Sequence, residues 1–160
     1  MTSYRGQGRG VGQAQQVYNQ PRRPRQMPQD YLKDGYFVKD AVLKDRLILD
    51  DPKFIVGQLT DPNLLGKPLE YSQLRKFFSF VRQMEYRLRG SEQWENVRQD
   101  ILRLPVYAAD AVNRQVAPQV WCDIMKENAK WATGNTDSFL KGLLLHFESI
   151  VAFFPRKGQR

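Results

Sequence analysis

Hydrolytic chemistry needs a nucleophile beside a base, or a set of carboxylates that hold a metal ion. The 160-residue chain offers one histidine, His146, and one cysteine, Cys122. His146 lies among apolar neighbours at the edge of a helix's buried face, the setting of a packed histidine, and no second histidine or partner motif accompanies it. Cys122, between Trp121 and Asp123, reads as a small buried side chain. A lone cysteine and a lone histidine exclude an internal disulfide and a single-chain Cys/His zinc site. Adjacent carboxylates such as Asp50 and Asp51 diverge on a helix or a strand and make a poor metal pair. The dipeptides Lys33-Asp34, Lys39-Asp40 and Lys44-Asp45 read as a solvated charged face. No Walker-type glycine loop is present. The expectation is a protein without catalysis or cofactor.

Cations offer a different chemistry. Arg75, Arg82 and Arg89 recur at seven-residue intervals, with Ser79 between the first two and Lys76 and Arg87 at the flanks. Arginines at two-turn spacing can follow the phosphates of a nucleic-acid strand. This stripe is expected to contain no acid, since Glu85 projects near the apolar face. The alternative is an ordinary solvated helix face. A second stripe runs through Arg103, Tyr107 and Arg114, where an aromatic between two arginines could stack on a base. Asp110 lies one turn before Arg114, however, and is expected to pair with it.

Charge location supports a polyanionic partner. Residues 1–29 hold five arginines (Arg5, Arg9, Arg22, Arg23 and Arg25) and no acid, and residues 156–160 add Arg156, Lys157 and Arg160. The span 30–155 carries 17 basic and 17 acidic groups, so the net charge of +8 resides in the two ends. Residues 1–29 combine glycines, prolines and seven glutamines, too little apolar area to offset the entropy of ordering, and read as a disordered tail. Arg-Gly spacing can grip RNA, or the tail only solubilises the chain. No apolar run approaches the roughly 20 residues that a bilayer demands, and no secretory signal is visible, which favours the cytoplasm.

The elements that must carry these side chains are helical. A short extended piece is expected near Tyr36–Val38, then a helix over Lys39–Leu49 with Val42, Leu43, Arg46 and Leu47 at helical spacing. Pro52 fits the first turn of a short helix through 53–59. Leu74, Phe77, Phe78, Val81, Met84 and Leu88 align on one face of a longer helix that Gly90 ends. Ser91 suits the N-cap of a helix from Glu92, in which Trp94, Val97, Ile101, Ala108 and Val112 align and Pro105 imposes a kink or a split. Pro118 opens a helix burying Val120, Trp121, Ile124 and Trp131. Asp137 or Thr136 caps the last one, whose broad face holds Phe139, Leu140, Leu143, Leu144, Phe147, Ile150, Val151 and Phe154 before Pro155 stops it. No segment sustains period-two alternation. The fold class is all-α, a compact bundle of about five helices over 30–155 with a basic tail at each end, 1–29 and 156–160.

Against this background, Leu69–Phe78, with its Ser-Gln-Leu-Arg-Lys-Phe-Phe run, resembles a helix start in the small subunits of type III-A CRISPR effector complexes, the Csm complex. Leu144–Phe154 is similar to that family's closing helix. Leu104–Ala109 with Arg114 resembles its Leu…Tyr-Ala…Arg helix, with a longer spacing from tyrosine to arginine here. Tyr31-Leu32 followed by Gly35-Tyr36-Phe37 resembles the family's N-terminal segment. The resemblance spans about residues 30–155 and omits the Arg-Gly tail. It implies an all-α subunit of antiviral defence without catalysis of its own. Several copies would stack as an inner filament beside the crRNA-bearing backbone subunits and line the channel where guide and target RNA pair. Cleavage and polymerase chemistry would belong to the backbone and large polymerase-like subunits. The implied partners are crRNA, target RNA, those subunits and further copies of itself, with no membrane. The resemblance promotes Arg75, Lys76 and Arg82 to the leading RNA contacts, with Arg89, Arg103 and Arg114 behind them. A free-standing RNA-binding or annealing protein gripping RNA by its Arg-Gly tail is the alternative, and a metal-dependent helical nuclease is a third reading.

Overall fold

The computed structural model describes residues 20–156. The N-terminal part is a strap. A two-stranded antiparallel hairpin pairs β1 (Phe37–Lys39) with β2 (Val42–Leu43), in the register Phe37 to Leu43 and Lys39 to Val42. Asp40 and Ala41, both at positive φ, form its two-residue turn, the geometry that matches strand twist. This replaces the helix expected over Lys39–Leu49, of which only a 3-10 turn, Asp45–Leu47, remains. Two consecutive left-handed residues cannot sit inside an α-helix, and the β-branched Val38 and Val42 lie exposed on the strands. Leu43 and Leu47 are buried all the same, because their i,i+4 spacing serves a strand end followed by a tight turn as well as a helix.

Five helices follow. α1 (Asp50–Thr60) carries Pro52 in its first turn and buries Ile55, Val56 and Leu59. α2 (Tyr71–Gly90) buries Leu74, Phe77, Val81 and Met84, with Phe78 and Leu88 packed at the edges of that face. Ser91, at φ 139°, breaks the chain, and α3 (Trp94–Asn113) starts two residues later than expected, with Gln93 rather than Ser91 at the N-cap position. Pro105 does not split α3, which is continuous on both sides of it. α4 (Gln119–Ala132) follows Pro118 at its N-cap and packs along α3. Trp121 and Ile124 are buried, whereas Trp131 is half-buried. A π-helical turn, Ser138–Leu143, leads into α5 (Leu144–Phe153). Asn135, not Asp137 or Thr136, supplies the cap there, its Oδ1 accepting from the Ser138 amide at 2.8 Å.

Where α2, α4 and α5 meet, Trp121 sits edge-on to both Phe77 (5.4 Å) and Phe147 (5.8 Å), and Phe147 stacks on Phe78 (5.5 Å). This aromatic cluster and the aliphatic core around it set the relative positions of the helices that bear the cations. Four buried polar groups join the strap to the bundle. His146 Nδ1–H donates to the Leu47 carbonyl at 2.7 Å, so its Nε2 accepts from the Tyr31 hydroxyl, also at 2.7 Å. Asn128 Nδ2 donates to the Tyr31 oxygen (2.9 Å), and Tyr36 donates to Asn128 Oδ1 (2.8 Å). A Cβ at Gly142, in the π turn, would overlap the Tyr36 ring, so glycine is what allows that ring to lie against the helix.

The tail expected to be disordered through residue 29 is held at 20–29. Arg25 donates to the carbonyls of Gln58 (2.7 Å), Asp61 (2.8 Å), Leu65 (3.0 Å) and Gly66 (2.8 Å), closing the C-terminal end of α1. With a longer bond to the Leu64 carbonyl (3.5 Å), one guanidinium with five carbonyl partners gives this segment the polar contacts that its composition lacks in apolar area. Arg5 and Arg9 lie outside the described residues, as do Lys157 and Arg160. No helix among the described residues is long and apolar enough to cross a membrane.

Candidate nucleic-acid interface

Among the described residues no group of three or more His, Cys, Asp or Glu side chains is gathered as a metal site. His146 is fully enclosed and its two ring nitrogens are both occupied by the strap contacts. Burial lowers its pKa to about 4, so it stays neutral. Cys122 is buried, and burial raises its pKa. Asp51 is bound by Arg46 through both oxygens, at 2.8 and 3.1 Å.

The cations divide along α2. At its start, Arg75 and Lys76 are exposed and make no ion pair with a described acid. Arg75 lies over the Tyr71 ring at 6.0 Å, and Arg156 over the same ring at 5.7 Å. Further along, every arginine of the stripe has a carboxylate. Arg82 binds Glu85 at 3.1 Å and Glu148 of α5 at 3.2 Å, and Arg89 lies 3.5 Å from Glu85. Arg87 reaches Asp100 at 2.6 Å, and that contact raises its pKa. The stripe therefore does contain an acid. Glu85 sits near the apolar face, its side chain only 16% exposed, yet its carboxylate turns outward between the two arginines. In the open recess among Arg82, Arg87, Arg89, Glu85 and Glu92, each arginine is thus already engaged by a carboxylate.

On α3, Arg103 binds the buried Asp100 at 2.6 Å, and Arg114 binds Asp110 at 2.9 Å, the pairing expected from their spacing. Tyr107 remains 46% exposed. It forms one wall of a groove of about 230 Å³ between α2 and α3, with Gln73, Lys76, Phe80 and Asp110 around it. Six cations singled out by spacing therefore fall into two sets: Arg75 and Lys76 without acidic partners, and Arg82, Arg89, Arg103 and Arg114 with them. The positions that spacing did not single out are Gln73 and Phe80, seven residues apart on α2. Their shared side of the helix, facing Tyr107 across the groove, was the available signal.

Fold and surface together define a small helical protein that presents cations along one helix and gathers no metal-holding cluster among its described residues. A family model described as Csm2 Type III-A matches residues 58–159, the larger part of the chain and all of the five-helix bundle except the first turns of α1, and the chain belongs to that family. It is a small subunit of the type III-A CRISPR Csm complex. No curated protein and no solved structure matches the chain.

Proposed function

We propose that this subunit is a non-catalytic RNA holder that stacks in several copies within the Csm complex and contacts the backbone of the paired guide and target RNA. The observation that carries this reading is the pair Arg75 and Lys76, exposed at the start of α2 and without an ion pair to any carboxylate among the described residues. A cation held by an acid must exchange that partner before it can take a phosphate, whereas Arg75 and Lys76 need no exchange. They rank first among the RNA contacts, ahead of Arg82, Arg89, Arg103 and Arg114. Pairing between guide and target reads the sequence, so a subunit of this kind needs only to hold backbones. The remaining partners in this reading are crRNA, the crRNA-bearing backbone subunits and the large polymerase-like subunit. The 30–155 body is the part that docks, with the basic ends as accessory segments.

The test is target-RNA capture by the assembled complex carrying Arg75→Ala and Lys76→Ala, measured across a salt series with matched and mismatched targets. Phosphate contacts carry no base information, so affinity should fall alike for every sequence. For single strands the slope of log affinity against log salt is about −0.7 per neutralised phosphate, so loss of two contacts should flatten it by about 1.4 for each copy that touches the strand. Unchanged affinity and slope would remove the pair from the interface. A loss confined to deletion of residues 1–29 would favour the tail-gripping alternative.

A further inference from the structure

Tyr107 has no role in holding the bundle together that matches its size. On α3, Leu104 and Ala108 beside it are fully buried, while Tyr107 stands nearly half in water. It is nonetheless fixed in orientation, because Phe80 of α2 meets its ring at 5.3 Å and an interplanar angle of 77°. Its groove joins the aromatic pair to the amide of Gln73, the ion-paired Asp110 and Arg114, and the ammonium of Lys76, which has no ion-pair partner among the described residues. Arg114 ties down Asp110, so that carboxylate is held in place.

We propose that this groove takes one unpaired RNA base on the ring of Tyr107, with the phosphate of the same nucleotide at Lys76. This rests on the reading that Arg75 and Lys76 track an RNA strand, and it adds a base-binding position to that track. An aromatic platform already held by Phe80 loses little side-chain freedom when a base stacks on it. Lys76 is both the last cation of the phosphate track and a wall of the groove, so one nucleotide satisfies both. Gln73 both donates and accepts, and Asp110 accepts, so the base edge meets hydrogen-bonding groups that tolerate more than one base. The recess around Arg87 is larger but its guanidinium groups are already bound to Glu85, Glu92 and Asp100.

The experiment compares binding of the full chain to two labelled decamers, oligoadenylate and a strand of the same length with abasic sugars throughout. Stacking of one base corresponds to about tenfold in affinity or more. The wild-type chain should bind oligoadenylate at least tenfold more tightly than the abasic strand. Tyr107→Ala should bring the two strands together, and Tyr107→Phe should keep them apart; circular dichroism checks that both variants fold. Arg75→Ala with Lys76→Ala should weaken both strands in parallel, and failure of that arm alone counts against the phosphate track rather than the base site. Oligoadenylate that binds no better than the abasic strand, or not at all, overturns the base site. So does discrimination that survives in Tyr107→Ala. Displacement of the strand by adenosine monophosphate at equal concentration would reassign the groove to a free nucleotide and overturn its assignment to RNA.

Discussion

The strap of residues 20–49 and the helices α2 to α5 are held by different forces. The strap has short elements, several residues at positive φ (Asp30, Leu32, Asp40 and Ala41), and few buried apolar side chains for its length. Its position is set by polar hubs: Arg25 on the end of α1, Arg46 on Asp51, and the Tyr31–His146 and Tyr36–Asn128 bonds. The helices are set by interlocked aromatic and aliphatic side chains, with Trp121 and Phe147 at the centre. Hydrophobic burial is non-directional and tolerates small displacements, while a hydrogen-bond hub works only at one geometry. The strap is therefore the part whose stability responds to pH and to single polar substitutions, and the bundle is the part that responds to lost volume.

The largest effect tests the bundle. Phe147→Ala should cost about 3–5 kcal/mol in urea unfolding, because the ring contacts Trp121 and Phe78 and leaves a cavity when removed. A cost near zero would mean that the aromatic cluster does not hold the helices. The second effect tests the strap. His146 is held neutral by burial, with its pKa lowered to about 4 from an ordinary 6.5. The unfolded chain takes up the proton first, so stability is complete above about pH 6.5 and falls as pH drops from there toward 4. Between pH 7 and pH 5 the expected loss is about 2 kcal/mol. Amide exchange should show that loss first at Tyr31 and Leu47, the residues that His146 bonds.

Smaller still, Arg25→Ala should cost about 1 kcal/mol, since its bonds to Leu65 and Gly66 are exposed and water can replace them, while those to Gln58 and Asp61 are only part-buried. Faster exchange should be confined to the 61–66 loop, and a global change would merge the two regions into one unit. The smallest stability change is expected for Glu85→Gln, within about 0.5 kcal/mol, because its arginine partners are exposed. Its effect on RNA should run the other way. Arg89 would be released and Arg82 would keep only Glu148, so both affinity and the steepness of the salt dependence should increase. No change in either would show that those arginines do not face the strand.

Legibility followed the same division. The faces of α2, α3 and α5 were readable because apolar period 3.6 reports burial directly, and Leu74, Val81, Ile101 and Phe147 lie where that period puts them. Of the hairpin, the extended piece expected near Tyr36–Val38 corresponds to β1, but the return strand was not readable, because Leu43 and Leu47 satisfy the helical period as well. Nothing in the local composition announces left-handed Asp40 and Ala41, whose conformation comes from strand pairing. Within the site, the Asp110–Arg114 pair followed from i,i+4 spacing. The partners of Arg82 did not, since Glu148 comes from a helix 66 positions away and the position of Glu85 at a face edge left its carboxylate's direction open. The ordering of 20–29 by Arg25 was hidden for a related reason. A single guanidinium can replace an apolar core locally, and composition counts it only as charge.

The chain's only histidine and only cysteine are both on helices and both shut away from solvent, the histidine where α5 meets the strap and the cysteine inside the bundle. His146 is sealed by the strap, and Cys122 lies between α3 and α4, its thiol 3.7 Å from the Pro105 carbonyl. The acylated imidazole and the labelled thiol would thus each report on a single residue, reachable only when the structure around it opens. The two labelling rates form a pair of built-in clocks, one for release of the strap and one for separation of the helices. Their ratio, followed as the subunit enters its complex, reads which region assembly locks first.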